Sequence, residues 1–287
     1  MMQIQKILNN NAVVCLDLHG NEVIVRGKGI AYKKTVGEDI DDTKVEKVYR
    51  LDTEIKNKFQ ELIKTLSDEY MSISDEIIQY ANIHLGKRLN DIIYISLVDH
   101  IALAIERSKQ GISVSNPLLF DIKRFYPEEF KVGQNALQII KEKMRISLRE
   151  DEAGFIALHI VNAQFNEEKP LAYHIARLLH EILTIVRLRM NIVYQEDSVF
   201  YYRFVTHLKF FAQRLFTESK HIKRHEDDLL TIIKSRYAKS YECVKYIEKY
   251  IRQKYVYELT EDEQLYLTIH IQKIAEESKR GDEMAKE

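Results

Sequence analysis

Much of this 287-residue sequence is written twice. Moving the chain along by 111 positions lays LLFDIKRFY (118–126) on LLTIIKSRY (229–237), so that Leu118 meets Leu229, Ile122 meets Ile233, Lys123 meets Lys234 and Tyr126 meets Tyr237. The same shift lays 139–160 on 250–271, with Leu148 over Leu259, the acidic run Glu150, Asp151, Glu152 over Glu261, Asp262, Glu263, and His159 over His270. A further block, LVDHIALAIER (97–107), lies on FVTHLKFFAQR (204–214) at a shift of 107 and places His100 over His207. The four-residue difference belongs in a loop between the blocks. A period of this length is that of a domain, not of a solenoid unit. The sequence therefore predicts two homologous domains, residues 65–169 and 171–280, divided at Pro170 after the polar run NEEK.

The two repeats have a helical texture. From about Leu51 onward, apolar residues recur three and four apart and glycines are few, with Pro117, Pro127 and Pro170 as the interruptions. The first fifty or so residues read differently. AVVCLDL alternates into a turn at Gly20-Asn21, EVIVRG follows, and GKGIAYKK reads as another short extended segment. The expected fold is β followed by all-α: a small antiparallel, barrel-like β module over 1–57, then two helical bundles.

Charge and cysteine usage narrow the function. The formal net charge is -1, which argues against a strongly phosphate-binding chain as a whole. The average conceals an asymmetry, because residues 1–34 carry Lys6, Arg26, Lys28, Lys33 and Lys34 against only Asp17 and Glu22. Residues 35–57 carry four bases against seven acids. Only the first stretch attracts phosphate. Cys15 and Cys243 are far apart, so a disulfide framework is not expected and a reducing cytoplasm fits. No apolar run approaches the roughly 18 residues of a membrane span.

Four of the ten histidines, His100, His159, His207 and His270, fall at repeat-equivalent positions, two to a domain. His100 borders the apolar stripe Leu97, Ile101, Ile105. His159 follows Phe155 by four residues as His270 follows Tyr266, and Thr260 with Glu263 has the spacing of a capping box. A histidine in such a place can be a core residue satisfied by a backbone carbonyl. A metal site is a weaker alternative, because no histidine of the first pair has a close Cys, His or carboxylate at ligand spacing. His221 and His225 do stand four apart, but the first repeat has no counterpart and a solvated loop explains them. No nucleophile or carboxylate pair marks an enzyme, and no cofactor is expected. A neutral imidazole at a helix surface can also accept a phosphoryl group reversibly.

These blocks in their order resemble the BglG/LicT/SacY transcription antiterminators along nearly the whole chain. ILNNNAVVCLD and GKGIAYKK are similar to that family's co-antiterminator RNA-binding domain. NDIIYISLVDHIALAIER, NPLLFDIKRFYPEEF and EDEAGFIALHIVNA are similar to its first phosphotransferase-system regulation domain, and the C-terminal repeat to its second. The resemblance implies a homodimer that binds an RNA hairpin in a nascent leader and prevents a terminator from forming. By motif position the RNA contacts would come from Lys6, Asn9, Asn10, Asn11, Gly27, Lys28, Gly29 and Tyr32. The family often has Arg in place of Lys28 and Phe in place of Tyr32; Lys lacks the bidentate fork, while Tyr keeps a stacking face. The resemblance further implies that His100, with His159, takes an inhibitory phosphate from a sugar-specific enzyme II, and that His207 and His270 take an activating one from the carrier HPr. A β-glucoside operon is the default within the family. Two other readings remain at this point, a histidine phosphocarrier enzyme and a DNA-binding operon activator. Against the second, residues 1–50 contain no helix-turn-helix pattern.

Overall fold

Residues 2–165, 171–217 and 227–284 are described in a computed structural model, and the chain divides into two compact units between Ala172 and Tyr173. The first unit begins with strands β1 (Ile4–Asn9), β2 (Ala12–Leu16), β3 (Glu22–Arg26) and β4 (Lys47–Tyr49), paired antiparallel in the order β1-β2-β3-β4. The β2–β3 turn closes where Gly20-Asn21 predicts it. Gly20 has φ +78°, and the Asp17 carboxylate accepts the N–H groups of His19 and Asn21, each at 2.9 Å. Residues 27–34, read from sequence as another extended segment, are instead a run of turns. Gly29 takes φ +64° and Lys33 φ 56°, and a Cβ on Gly27 would lie 1.8 Å from the Lys44 carbonyl oxygen, so the backbone turns where a strand would have to run straight.

Both faces of the sheet are covered. Side chains alternate along a strand, so Val13, Cys15, Val23 and Val25 pack with Ile4, Ile30 and Ile40 on one side. Ala12, Val14, Ile24 and Tyr49 pack on the other with Phe59, Ile63, Met71 and Val98. That second group comes from helices α1 (Thr53–Thr65), α2 (Asp68–His84) and α3 (Ile93–Lys109). Each such aliphatic or aromatic side chain contributes about 1.5–3 kcal/mol when fully buried. The sheet and the first helices thus share one apolar core.

A charged cluster borders this seam. Arg26, only 5% exposed, donates to Glu46 at 3.0 Å, to Asp68 at 3.1 Å and to Asp75 at 3.1 Å, while Tyr49 Oη donates to Asp75 at 2.6 Å. Burial raises the Asp75 carboxyl above its usual range, and the Tyr49 hydrogen bond and the Arg26 charge only partly oppose it.

The remaining helices are α4 (Leu119–Phe125), α5 (Pro127–Met144) and α6 (Glu150–Phe165), then α7 (Leu171–Met190), α8 (Val199–Thr217), α9 (Asp227–Arg236), α10 (Ala238–Tyr255) and α11 (Glu261–Met284). The repeat is preserved in the backbone. Adding 111 to the bounds of α5 gives those of α10, and the starts of α6 and α11 correspond in the same way. Arg145 and Val256 end α5 and α10 in the left-handed conformation, with φ 59° and 54°. Adding 107 to the bounds of α3 reproduces those of α8 to within a residue. The four additional residues therefore fall between Arg214 and Leu229, a stretch that includes 218–226; His221 and His225 lie outside the described residues, as does Pro170. No helix among the described residues is long and apolar enough to cross a membrane.

Candidate functional site

The β1–β2 turn and the Gly27–Tyr32 loop are laced together through the asparagine run. The Asn11 side-chain oxygen accepts the Gly29 N–H at 2.7 Å, its carbonyl accepts the Gly27 N–H at 2.9 Å, and the Asn10 carbonyl accepts the Ala31 N–H at 3.1 Å. Only a loop that turns sharply at Gly27 and Gly29 can approach so closely. Asn10, Lys28 and Tyr32 are exposed on this assembly, Tyr32 by 60%, and Lys33 Nζ stands 5.3 Å from the Tyr32 ring centre. Lys44 Nζ, 3.5 Å from the Gly29 carbonyl oxygen, adds a positive charge from outside the two motifs.

Two of the eight motif positions face elsewhere. Lys6 Nζ donates to Gln60 Oε1 at 3.1 Å, and Asn9 Nδ2 donates to the Ile63 carbonyl at 2.8 Å, both on α1. The Asn9 side-chain oxygen accepts the Asn11 N–H at 2.8 Å. Both amide atoms of Asn9 therefore hold the turn and the helix together.

The histidines assemble in pairs, one residue from each of two packed helices. In the first copy, His100 on α3 and His159 on α6 have ring centres 4.8 Å apart, with Phe155 5.9 Å from His100. In the second, His207 on α8 and His270 on α11 are 5.2 Å apart, and Tyr266 lies 4.4 Å from His207 and 4.2 Å from His270. Burial pushes His159 down to about 3 and His270 down to about 4, with the neighbouring histidine of each pair adding to the effect. Both rings are therefore neutral at physiological pH, the form that carries a nucleophilic lone pair. His207 is exposed and His100 half-buried.

The carboxylate that meets His100 is Glu152 from α6, with Oε2 3.0 Å from Nε2, and not the adjacent Asp99, whose side chain is exposed. The atoms are at ion-pair distance, but their angle departs from that of a regular hydrogen bond. Glu152 Oε1 also accepts from Arg107 Nη2 at 3.1 Å. Burial tends to raise the Glu152 carboxyl, and His100 and Arg107 outweigh it, holding it below the usual range. Arg107, Glu152 and their counterparts Arg214 and Glu263 were visible in the matched blocks but carried no recognisable role there. Among the described residues no group of three His, Cys, Asp or Glu is placed to hold a metal ion.

Comparison with known proteins places this arrangement. Residues 2–58 match the CAT RNA binding domain, and residues 75–163 and 180–274 match the PRD domain. This chain belongs to the BglG/LicT/SacY family of transcription antiterminators. Among its antiterminator relatives, it is 48% identical to the transcription antiterminator LicT of Bacillus subtilis (strain 168), over 96% of this chain and 100% of that one. It is 40% identical to the beta-glucoside operon antiterminator of Dickeya chrysanthemi, over 96% of this chain and 98% of the relative. A crystal structure of GlcT CAT-PRDI aligns with a TM-score of 0.50 at 33% identity, covering 56% of this chain and 97% of that one. The sheet-and-helix loops described above thus lie in the CAT segment, and each histidine pair lies within a PRD segment.

Proposed function

We propose that this antiterminator acts in the cytoplasm as a homodimer that binds an RNA hairpin in the leader of a sugar-utilisation operon and blocks the overlapping terminator, under control of histidine phosphorylation. The observation that carries this reading is the recurrence of a close histidine pair at equivalent places in both helical copies, 4.8 Å and 5.2 Å apart, in a chain whose N-terminal module is a CAT domain. The RNA contacts come from Asn10, Asn11, Lys28 and Tyr32, with Gly27 and Gly29 letting backbone approach the bases, and with Lys6 and Asn9 at the α1 side of the same module. Distorted RNA helices are read at bulges and edges by small polar groups and a stacking ring, which this set supplies. The domains are assigned as 1–57, 65–169 and 171–280. The relatives favour a β-glucoside operon.

Phosphate on His100 and His159 comes from a sugar-specific enzyme II and inhibits; phosphate on His207 and His270 comes from HPr and activates. One phosphate facing an arginine at about 4 Å gains roughly 4 kcal/mol at an effective dielectric near 20, before desolvation. Moving an equilibrium from 1:99 to 99:1 takes about 5.5 kcal/mol. Two-fold symmetry doubles every site, so the phosphates act on dimer geometry, and through it on the pairing of the CAT modules. Incubation of the full chain with HPr and its phosphate source, followed by phosphohistidine mapping with acid avoided, tests the control. A gel shift comparing the leader hairpin with the equivalent DNA duplex tests the target. No phosphohistidine together with indifference to the RNA hairpin would end this reading.

A further inference from the structure

Two sequence differences between the repeats redirect one carboxylate. Glu152 and Glu263 are equivalent, as are Arg107 and Arg214. In the second copy Glu263 is held by Tyr257 Oη, 3.1 Å from each carboxylate oxygen, by the Thr260 N–H at 3.0 Å, and by Arg214 at 3.6 Å. The Glu263 N–H returns to Thr260 Oγ1 at 3.2 Å, which completes the capping box. In the first copy the corresponding residues are Ile146, which has no side-chain donor, and Arg149, which pairs with Asp151 at 3.2 Å. Glu152 turns instead to Arg107 and to His100.

A third difference adds a cation. Arg203 stands where the first copy has Ser96, one helical turn before His207 on α8, and both side chains are exposed. Among the described residues no carboxylate is ion-paired with Arg203 or His207. After burial, the charges of Arg214 and then Arg203 disfavour the protonated form of His207, and those of His207 and then Arg203 disfavour that of His270. A field of that sign attracts a phosphoryl dianion, whereas a carboxylate 3.0 Å from the ring nitrogen repels one.

We propose that Arg203, together with Arg214, forms an anion cradle that holds a phosphoryl group on His207 or His270, whereas in the first copy Glu152 occupies the corresponding place beside His100 and must be displaced before phosphate is accepted. This rests on the reading that these histidines are phosphate acceptors. It assigns the two copies different intrinsic readiness, set by the chain itself and not by the donor protein.

A small donor isolates that property. With phosphoramidate, a neutral ring nitrogen attacks phosphorus and the ring N–P bond forms as the bond from phosphorus to the amino group breaks. Ammonia leaves and takes up the proton released from the other ring nitrogen. The full chain is incubated with phosphoramidate and phosphohistidine is mapped by mass spectrometry with acid avoided. His207 and His270 label faster than His100 and His159. Arg203→Gln slows the second pair by about three- to fivefold, the scale of one exposed ion pair, and Arg203→Lys retains most of the rate. Glu152→Gln speeds His100 by a similar factor. Nuclear magnetic resonance titration of Arg203→Gln shows the His270 midpoint moving up, which a general loss of packing would not produce selectively. Unchanged labelling at His207 and His270 in Arg203→Gln with unmoved midpoints, or unchanged labelling at His100 in Glu152→Gln, would overturn the proposal. If these effects hold with phosphoramidate while no histidine takes phosphate from HPr, the functional reading fails and the cradle stands.

Discussion

Arg26 of β3 and Asp75 of α2 meet 3.1 Å apart, joining the CAT sheet to the helices that follow it. The guanidinium has little water to fall back on, and the same aspartate also receives the Tyr49 hydroxyl. A buried charge without its partner is far costlier than the pair is favourable. Arg26→Ala is therefore expected to destabilise the first unit by about 3 kcal/mol, read as a lower midpoint in denaturant, while Arg26→Met combined with Asp75→Leu recovers much of the loss. Equal stabilities for the single and the double variant would argue that the cluster is solvated.

Acid should weaken the helical domains earlier than carboxylate titration alone would. His159 and His270 have folded values near 3 and 4 against an ordinary 6.5, so below pH 6.5 the unfolded chain binds protons that the folded chain refuses. Stability is thus fully present above pH 6.5 and declines as pH falls toward 4, by at most about 1.4 kcal/mol per pH unit for each ring. Thermal midpoints measured between pH 7 and pH 5 check this, and the variant carrying His159→Gln and His270→Gln flattens the profile.

On the proposed RNA surface, exposed Tyr32 and Lys28 stand apart from Asn11 and Asn9, whose side chains hold the loop and the turn. Tyr32→Leu is expected to lose about 1–3 kcal/mol of hairpin affinity through stacking. Lys28→Ala weakens binding across sequences and lowers the salt slope by about one unit or less. Asn11→Ala leaves the Gly29 N–H without its 2.7 Å acceptor and lowers affinity by about 1–2 kcal/mol through the loop. Asn9→Ala, by contrast, loses its bond to the Ile63 carbonyl and should show its main effect in thermal stability. Filter binding at two salt concentrations, beside melting curves, distinguishes the four.

Helices α5 and α6 approach through Gly133, where an added Cβ would lie 2.2 Å from the Ala153 carbonyl oxygen. Neither backbone can yield without separating the helices. Gly133→Ala should cost about 1–3 kcal/mol by overpacking, despite the better helix propensity of alanine. A native or raised melting temperature would show that the helices can slide apart.

Much of this architecture was legible along the chain because it is carried by periods. Alternation in AVVCL placed Val13 and Cys15 on one face and Val14 on the other, and the 111- and 107-residue registers located the helix pairs and their histidines. The turns at 27–34 read as a strand along the chain because GKGIAYKK has the glycines of an extended entry, while the Lys44 carbonyl that excludes a side chain at Gly27 comes from later in the chain. Lys6 and Asn9 carry the chemistry of RNA contacts, yet α1 supplies them with Gln60 and the Ile63 carbonyl. No local pattern announces such a partner.

The sequence alone determined the duplication, the β-then-α order, and the four equivalent histidines, since each follows from spacing within a single segment. Only the tertiary structure decided that Arg26 is sealed beneath the sheet, and that Glu152 faces His100 while its twin Glu263 is held by Tyr257 and Thr260. The physical reason is that a carboxylate turns toward whichever donors surround it. Those donors are assembled by helices from separate parts of the chain, so identical letters in the two repeats acquire different partners.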